Sequence, residues 1–152
     1  MKIVALEERH IPSLLRLQST CPEVAQWKFT DYHRVLSGDI SGWVAQSEST
    51  PANSEIEIDG FVVVRRVAAE IEILNFAVAE STRRRGVGSG LLLAVLAWSR
   101  PLGAKQVMLE VRASNKTALQ FYRRHDFQIV GRRPRYYSSP VDDALLLTAF
   151  LE

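Results

Sequence analysis

The chain has 152 residues, of which 47% are hydrophobic and 24% charged, and a formal net charge of +2. That length suits a single domain with a sizeable core, and the composition is ordinary for a globular protein. The small net charge excludes a fold-wide polycation built for nucleic acid, yet arginines gather at 83–85 and 132–135, a pattern of local anion recognition.

Lys2 to Leu6 reads as a short strand. Glu7 to Ser19 reads as a helix with Ile11, Leu14, Leu15 and Gln18 on one face, and Pro12 is tolerable there only in the first turn. Pro22 ends it, and Glu23 to Phe29 is an aromatic-bearing loop around Trp27. Thr30 is a candidate N-cap for a short helix through Leu36, closed by Gly38. Gly42 to Gln46 is a strand, and Ser47 to Glu55 a solvated hairpin loop rich in Ser, Thr, Pro and Asn. Ile56 to Val67 and Glu70 to Val78 are strands separated by a tight turn at Ala68-Ala69. The polar–apolar alternation from Glu70 slips at Leu74, the trace a bulge leaves in sequence.

Val87 to about Arg100 is a helix whose wide apolar stripe holds Val87, Leu91, Leu92, Val95, Leu96 and Trp98; Pro101 and Gly103 stop it. Gln106 to Val111 is strand-like, and Ala113-Ser114-Asn115 leads into a helix over Lys116 to His125. Phe127 to Arg133 and Ala144 to Leu151 read as final strands, joined by the connection Pro134 to Pro140. The order implies an α/β or α+β fold: a mixed sheet with helices on both faces, in one domain over residues 1–152. The lone Cys21 has no partner for an internal disulfide, which suits a reducing compartment. No apolar run reaches membrane-spanning length, and Met1 to Glu8 turns acidic too soon for a signal peptide, so a cytoplasmic protein without membrane attachment is expected. His10, His33 and His125 are scattered, so no metal site is expected.

The organising stretch is Arg83-Arg84-Arg85-Gly86-Val87-Gly88-Ser89-Gly90, between a strand and a helix. The first N–H groups of a helix lack intrahelical partners, and the dipole makes that end partly positive. Glycines there let an anion approach the main chain, and arginines add forked donors. The stretch reads as a pyrophosphate cradle. It is no Walker loop, because no lysine follows the glycines. A dinucleotide fingerprint, with Glu110 as the ribose acid, would need its third glycine one position later. The remaining pattern is Arg/Gln-x-x-Gly-x-Gly/Ala, matched by Arg83, Gly86 and Gly88.

With that pattern the sequence resembles the GCN5-related N-acetyltransferases (GNAT). Leu109 to Asn115, then Ala118, Phe121-Tyr122 and Phe127, resemble the signature of the ribosomal-protein-alanine N-acetyltransferases. Arg133-Pro134-Arg135-Tyr136-Tyr137, Asp143 to Leu146 and Trp27 extend the likeness over nearly the whole chain. The resemblance implies a central sheet of six to seven strands with a splayed pair of parallel strands. It implies an enzyme moving an acetyl group from acetyl-CoA directly to a protein or peptide N-terminal α-amine, with the N-terminal alanine of a ribosomal protein, or another N-terminus, as acceptor. Free small amines are the alternative acceptors, and a non-catalytic acyl-CoA or RNA-binding module is the alternative outside catalysis.

The same resemblance assigns roles. Phe76, Ala77 and Val78 offer main-chain groups to the pantetheine arm; Arg83, Arg84, Arg85, Gly86, Val87, Gly88 and Ser89 hold the pyrophosphate; Asn115, Ala118 and Tyr122 meet the cofactor near the thioester. Glu110 is the general base and Tyr122 the general acid. Trp27, Asn75, Tyr136 and Tyr137 are candidates for the acceptor groove. The chemistry agrees with those types. An α-amine of pKa about 7.7–8.0 must lose a proton before it attacks a thioester. A carboxylate takes that proton, a main-chain N–H such as that of Val78 steadies the oxyanion, and a phenol protonates the leaving thiolate. Each residue also has a plainer role: Glu110 in a surface ion pair, Tyr122 in the core, Asn115 as a helix cap. Asp126 stands where the family has glycine, and aspartate tolerates the left-handed turn better than most residues. Ser89 replaces a common arginine, for which Arg85 is the compensating neighbour.

Overall fold

The computed structural model describes residues 1–47 and 56–152, so most of the hairpin loop expected over Ser47 to Glu55 lies outside the described residues. Among the described residues seven strands form a mixed sheet in the order β1-β2-β3-β4-β5-β7-β6. The strands are β1 (Lys2–Ala5), β2 (Ser41–Gln46), β3 (Ile58–Val67), β4 (Glu70–Val78), β5 (Gln106–Arg112), β6 (Gln128–Ser138) and β7 (Val141–Phe150). The helices are α1 (Ile11–Ser19), α2 (Phe29–Ser37), α3 (Val87–Ser99) and α4 (Lys116–Arg124). The chain divides into two compact units, one of Met1–Arg65 with Ile73–Trp98, the other of Arg66–Glu72 with Ser99–Glu152.

In the first unit β1 and β3 both pair antiparallel with β2. Alternate residues of these strands point to opposite faces. Val44, Phe61, Val63 and Ala77 share one core with Ile11, Leu14 and Leu17 of α1 and Tyr32 of α2. The opposite face carries α3. Trp43 meets Trp98 edge-on at 5.4 Å, and a Cβ on Gly60 would lie 3.0 Å from both Val87 and Leu91 side chains. That same Cβ would sit 2.9 Å from the Ala77 carbonyl oxygen, so only glycine lets β3 approach β4 and α3 this closely.

Three local expectations need correction. Pro12 is in the first turn, as its missing N–H requires, but α1 begins only at Ile11, after a 3₁₀ turn over Glu8–His10. Thr30 is no cap: α2 starts at Phe29 with Lys28 as N-cap, and Asp31 Oδ2 accepts the Lys28 N–H at 2.8 Å. Gly38 does close α2, in the left-handed conformation. The slip at Leu74 is not a change of parity, since burial alternates without interruption from Glu70 to Val78. Asn75 simply occupies an inward position with a polar side chain.

In the second unit the parallel ladder between β4 and β5 runs from Glu70↔Gln106 to Glu72↔Met108 and, among the described residues, ends there. β7 pairs antiparallel with both β5 and β6. The expected connection over Pro134 to Pro140 is mostly strand: β6 continues to Ser138, and the turn is confined to Ser139 and Pro140. β6 is the last strand in the order, where a proline removes no needed ladder bond, and the register shifts between Arg133 and Tyr137. Asp126 has φ 66°, the left-handed turn that its residue type permits.

Candidate functional site

The first unit holds the glycine loop. A 3₁₀ turn over Glu80–Thr82 leads into it, and α3 begins at Val87, whose buried side chain anchors the helix start. Arg84 (φ 67°) and Gly86 (φ 83°) both take left-handed backbone. A Cβ at Gly86 would meet nothing within 4 Å, so glycine is needed there for conformation and not for space. The Gly90 N–H donates to the Gly86 carbonyl at 2.9 Å, closing the first turn. The loop thus delivers the chain to the positive end of a 13-residue helix, with Arg84 and Arg85 exposed beside it.

Arg83 is engaged differently. Its Nη2 lies 3.1 Å from Glu23 Oε1, and its Nε donates to the Val78 carbonyl at 3.3 Å. Arg83 therefore ties the segment after α1 to the end of β4. Glu23 carried no distinguishing signal in sequence.

Asn75 and Trp27 belong to a buried polar network that sequence reasoning largely missed. Asn75 Nδ2 donates to the Ala25 carbonyl and to the Tyr32 hydroxyl oxygen, each at 2.9 Å. The Tyr32 hydroxyl donates to Gln18 Oε1, and Gln18 Nε2 donates to the Trp27 carbonyl at 2.6 Å. The Trp27 ring lies 5.0 Å from that of Tyr32. Burial pushes the Tyr32 phenol well up, so it stays protonated and can donate. The available clue was Gln18, a polar residue in an otherwise apolar stripe.

The second unit gathers Glu110, Asn115, Ala118, Tyr122, Tyr136 and Tyr137. β5 alternates, burying Val107, Leu109 and Val111 while Glu110 and Arg112 stand on the other face. Arg133 Nη2 is 3.3 Å from Glu110 Oε1. Glu110 thus has the ion-pair role weighed for it in sequence, with Arg133 as its partner. Asn115 is indeed the N-cap of α4, its Oδ1 accepting the Ala118 N–H at 3.2 Å. Ser114 beside it donates its hydroxyl to Asp142 Oδ2 at 2.6 Å.

Tyr122 is buried, its ring 5.3 Å from Phe127 and 5.2 Å from Phe121. Desolvation pushes its phenol far above the ordinary range, so it stays protonated at any physiological pH. Tyr136 and Tyr137 meet edge-on at 5.1 Å, and the Arg112 guanidinium lies 4.2 Å over the Tyr137 ring. Burial, with the Glu110 charge next, raises the Tyr137 phenol. The unit thus sets a carboxylate at a strand end, a protonated buried phenol on α4 and an aromatic–arginine surface on β6. Those are groups for accepting a proton, donating one and holding a polar chain. Among the described residues no group of three or more His, Cys, Asp or Glu side chains could hold a metal ion, and no helix is long and apolar enough to cross a membrane.

An N-alpha-acetyltransferase of Sulfurisphaera tokodaii is 37% identical over 78 residues, 51% of this chain and 46% of that protein. The [ribosomal protein bS18]-alanine N-acetyltransferase of Salmonella typhimurium is 32% identical over 89 residues, 57% of this chain and 60% of that protein. The chain thus spans about half the length of these two curated relatives. The crystal structure of Arabidopsis thaliana NAA60 in complex with a bisubstrate analogue shares the fold, with a TM-score of 0.88 at 24% identity over 98% of this chain and 97% of that one. The model of the acetyltransferase (GNAT) family matches residues 11–127. A match running from the first residue of α1 to the residue before β6 makes this chain a member of the GNAT acetyltransferase family.

Proposed function

We propose that this chain is an acetyl-CoA-dependent N-acetyltransferase acting on the N-terminal α-amine of a protein or peptide, with a ribosomal protein's N-terminal alanine as one candidate acceptor. The observation that carries the reading is the match of residues 11–127 to the acetyltransferase (GNAT) family, in a chain whose second unit holds both a strand-end carboxylate, Glu110, and a buried phenol, Tyr122. The acceptor class is supported by the two N-terminal acetyltransferases to which the chain is similar.

The cradle around Arg84 and Gly86 fits a diphosphate. Its backbone is turned left-handed, it opens onto a helix N-terminus, and two exposed arginines flank it. Arg84 to Ser89 would hold the diphosphate of acetyl-CoA, with Arg83 instead tied to Glu23, and Phe76, Ala77 and Val78 would hold its pantetheine arm. Asn115 and Ala118, at the start of α4, would meet the cofactor close to its acyl end. When bound, acetyl-CoA supplies an acyl group already activated as a thioester. Glu110 takes the proton that the acceptor ammonium must lose. Tyr122 would return a proton to the departing thiolate. Trp27, Tyr136 and Tyr137 would border the acceptor. Asn75 would act on it through the residue 25–27 main chain that it and Gln18 hold.

The test is release of CoA from acetyl-CoA across peptides differing in their first residues, beside free amines such as polyamines, amino acids and aminoglycosides. Turnover on peptide α-amines, with N-terminal acetylation confirmed by mass, is the expected result. Turnover on free amines alone would move the chain to a small-molecule enzyme. No turnover, together with salt-sensitive RNA binding, would leave a binding module.

A further inference from the structure

The peptide-acceptor reading can be sharpened, because Glu110 shares its surroundings with two arginines. In register, Arg112 stands opposite Ala144, and Ala144 opposite Arg133, so the two guanidinium-bearing residues flank one small side chain. Glu110, two residues before Arg112, shares its face of β5. Arg133 reaches the Glu110 carboxylate at 3.3 Å and lies 5.7 Å over the Tyr136 ring, while Arg112 lies over Tyr137 and donates to the Pro140 carbonyl at 3.0 Å.

The other acids of this hairpin are committed elsewhere. Asp143 takes Arg132 at 2.6 Å and the Arg135 N–H at 2.9 Å, and Asp142 takes the Ser114 hydroxyl and N–H and the Asp143 N–H. Arg133 therefore pairs with the Glu110 carboxylate, while Arg112, on the same face of β5, adds a second positive charge. An incoming ammonium would meet a base already neutralised by Arg133 and a surface whose balance is positive.

We propose that Arg133 is a specificity-determining residue that selects acceptors with an acidic side chain one or two positions behind the reactive amine. The acceptor's carboxylate takes over the guanidinium, and Glu110 is left facing the ammonium whose proton it accepts. Neighbouring residues of a peptide are about 3.8 Å apart at Cα, so an amine and the next side chain can address a carboxylate and a guanidinium that lie in contact. A basic residue at the same place would confront Arg112 and Arg133 together.

The experiment compares kcat/KM for peptides identical except for Asp, Asn or Lys at position 2, and again at position 3, at low and at moderate salt. An exposed ion pair is worth up to about 1 kcal/mol, so Asp should exceed Asn by about 2- to 5-fold at low salt, mainly through KM, with Lys poorest and the preference shrinking as salt rises. Arg133→Met should bring the Asp/Asn ratio close to one, and Arg133→Lys should keep part of it. Thermal melting of each variant separates lost selectivity from lost fold. Peptide turnover with an Asp/Asn ratio of one in the unaltered protein, or a ratio unchanged in Arg133→Met, overturns this inference and leaves the peptide-acceptor reading standing. Turnover of small amines with none of any peptide overturns both.

Discussion

Glu110 and Tyr122 differ in what surrounds them, and their conservative replacements should fail differently. Glu110→Gln keeps the shape of a half-exposed side chain but cannot take a proton. Turnover should fall by about 10²- to 10⁴-fold, the usual worth of a general base, while CoA affinity measured by titration calorimetry stays unchanged. Tyr122→Phe keeps the packing against Phe121 and Phe127 and removes only the hydroxyl, so folding should survive while turnover slows. Full activity in that variant would assign the thiolate's proton to another donor. At this scale the family resemblance singled out Glu110, Asn115 and Tyr122 but not their neighbours. Arg133 is 23 positions from Glu110, and only the order β5-β7-β6 brings a residue of the third strand to one of the first. No local pattern encodes that. The cap at Asn115 and the left-handed Asp126 were legible because both follow from a residue's own geometry.

Elements were legible where periodicity was strong. β4 is found over Glu70–Val78, and α3 begins at Val87 as its apolar stripe requires. They were misjudged where polar side chains do unexpected work. Asp31 accepts the N–H of Lys28, so the cap contact comes from inside α2, and the threonine at position 30 is two residues too late to serve. Asn75 mimics a register slip because its amide is satisfied within the core, which no period-two reading distinguishes from a bulge. The junction of β3, β4 and α3 supplies the element-scale prediction. Gly60→Ala must push a methyl to 2.9 Å from a carbonyl oxygen, and backbone yields poorly. Destabilisation of about 1–3 kcal/mol is expected, seen as a lower denaturation midpoint with an unchanged slope.

At the scale of the molecule, stability should depend on pH through His10, which is fully buried. Its Nδ1 accepts the Glu7 N–H at 2.9 Å, its Nε2 lies 3.0 Å from the Gln46 side-chain amide, and desolvation followed by Arg9 holds its pKa below the ordinary value. A folded-state pKa below that of the unfolded chain means the unfolded chain binds the extra proton first. The stabilisation is therefore complete above about pH 6.5 and is lost progressively as pH falls below it. Denaturant midpoints at pH 7.5 and 5.5 should show this, and His10→Asn, which can still accept the Glu7 N–H, should flatten the difference. The family resemblance reached across nearly the whole chain, whereas the ties of Arg83 to Glu23 and of Asn75 to Tyr32 depend on segments far apart in sequence.

Cys21, the chain's single cysteine, is 1% exposed in the core of the first unit. A disulfide-exchange chromophore added to the folded protein should therefore give a flat baseline, so colour that develops with substrate present counts liberated coenzyme one for one. In denaturant the same sulfur would report each molecule that opens.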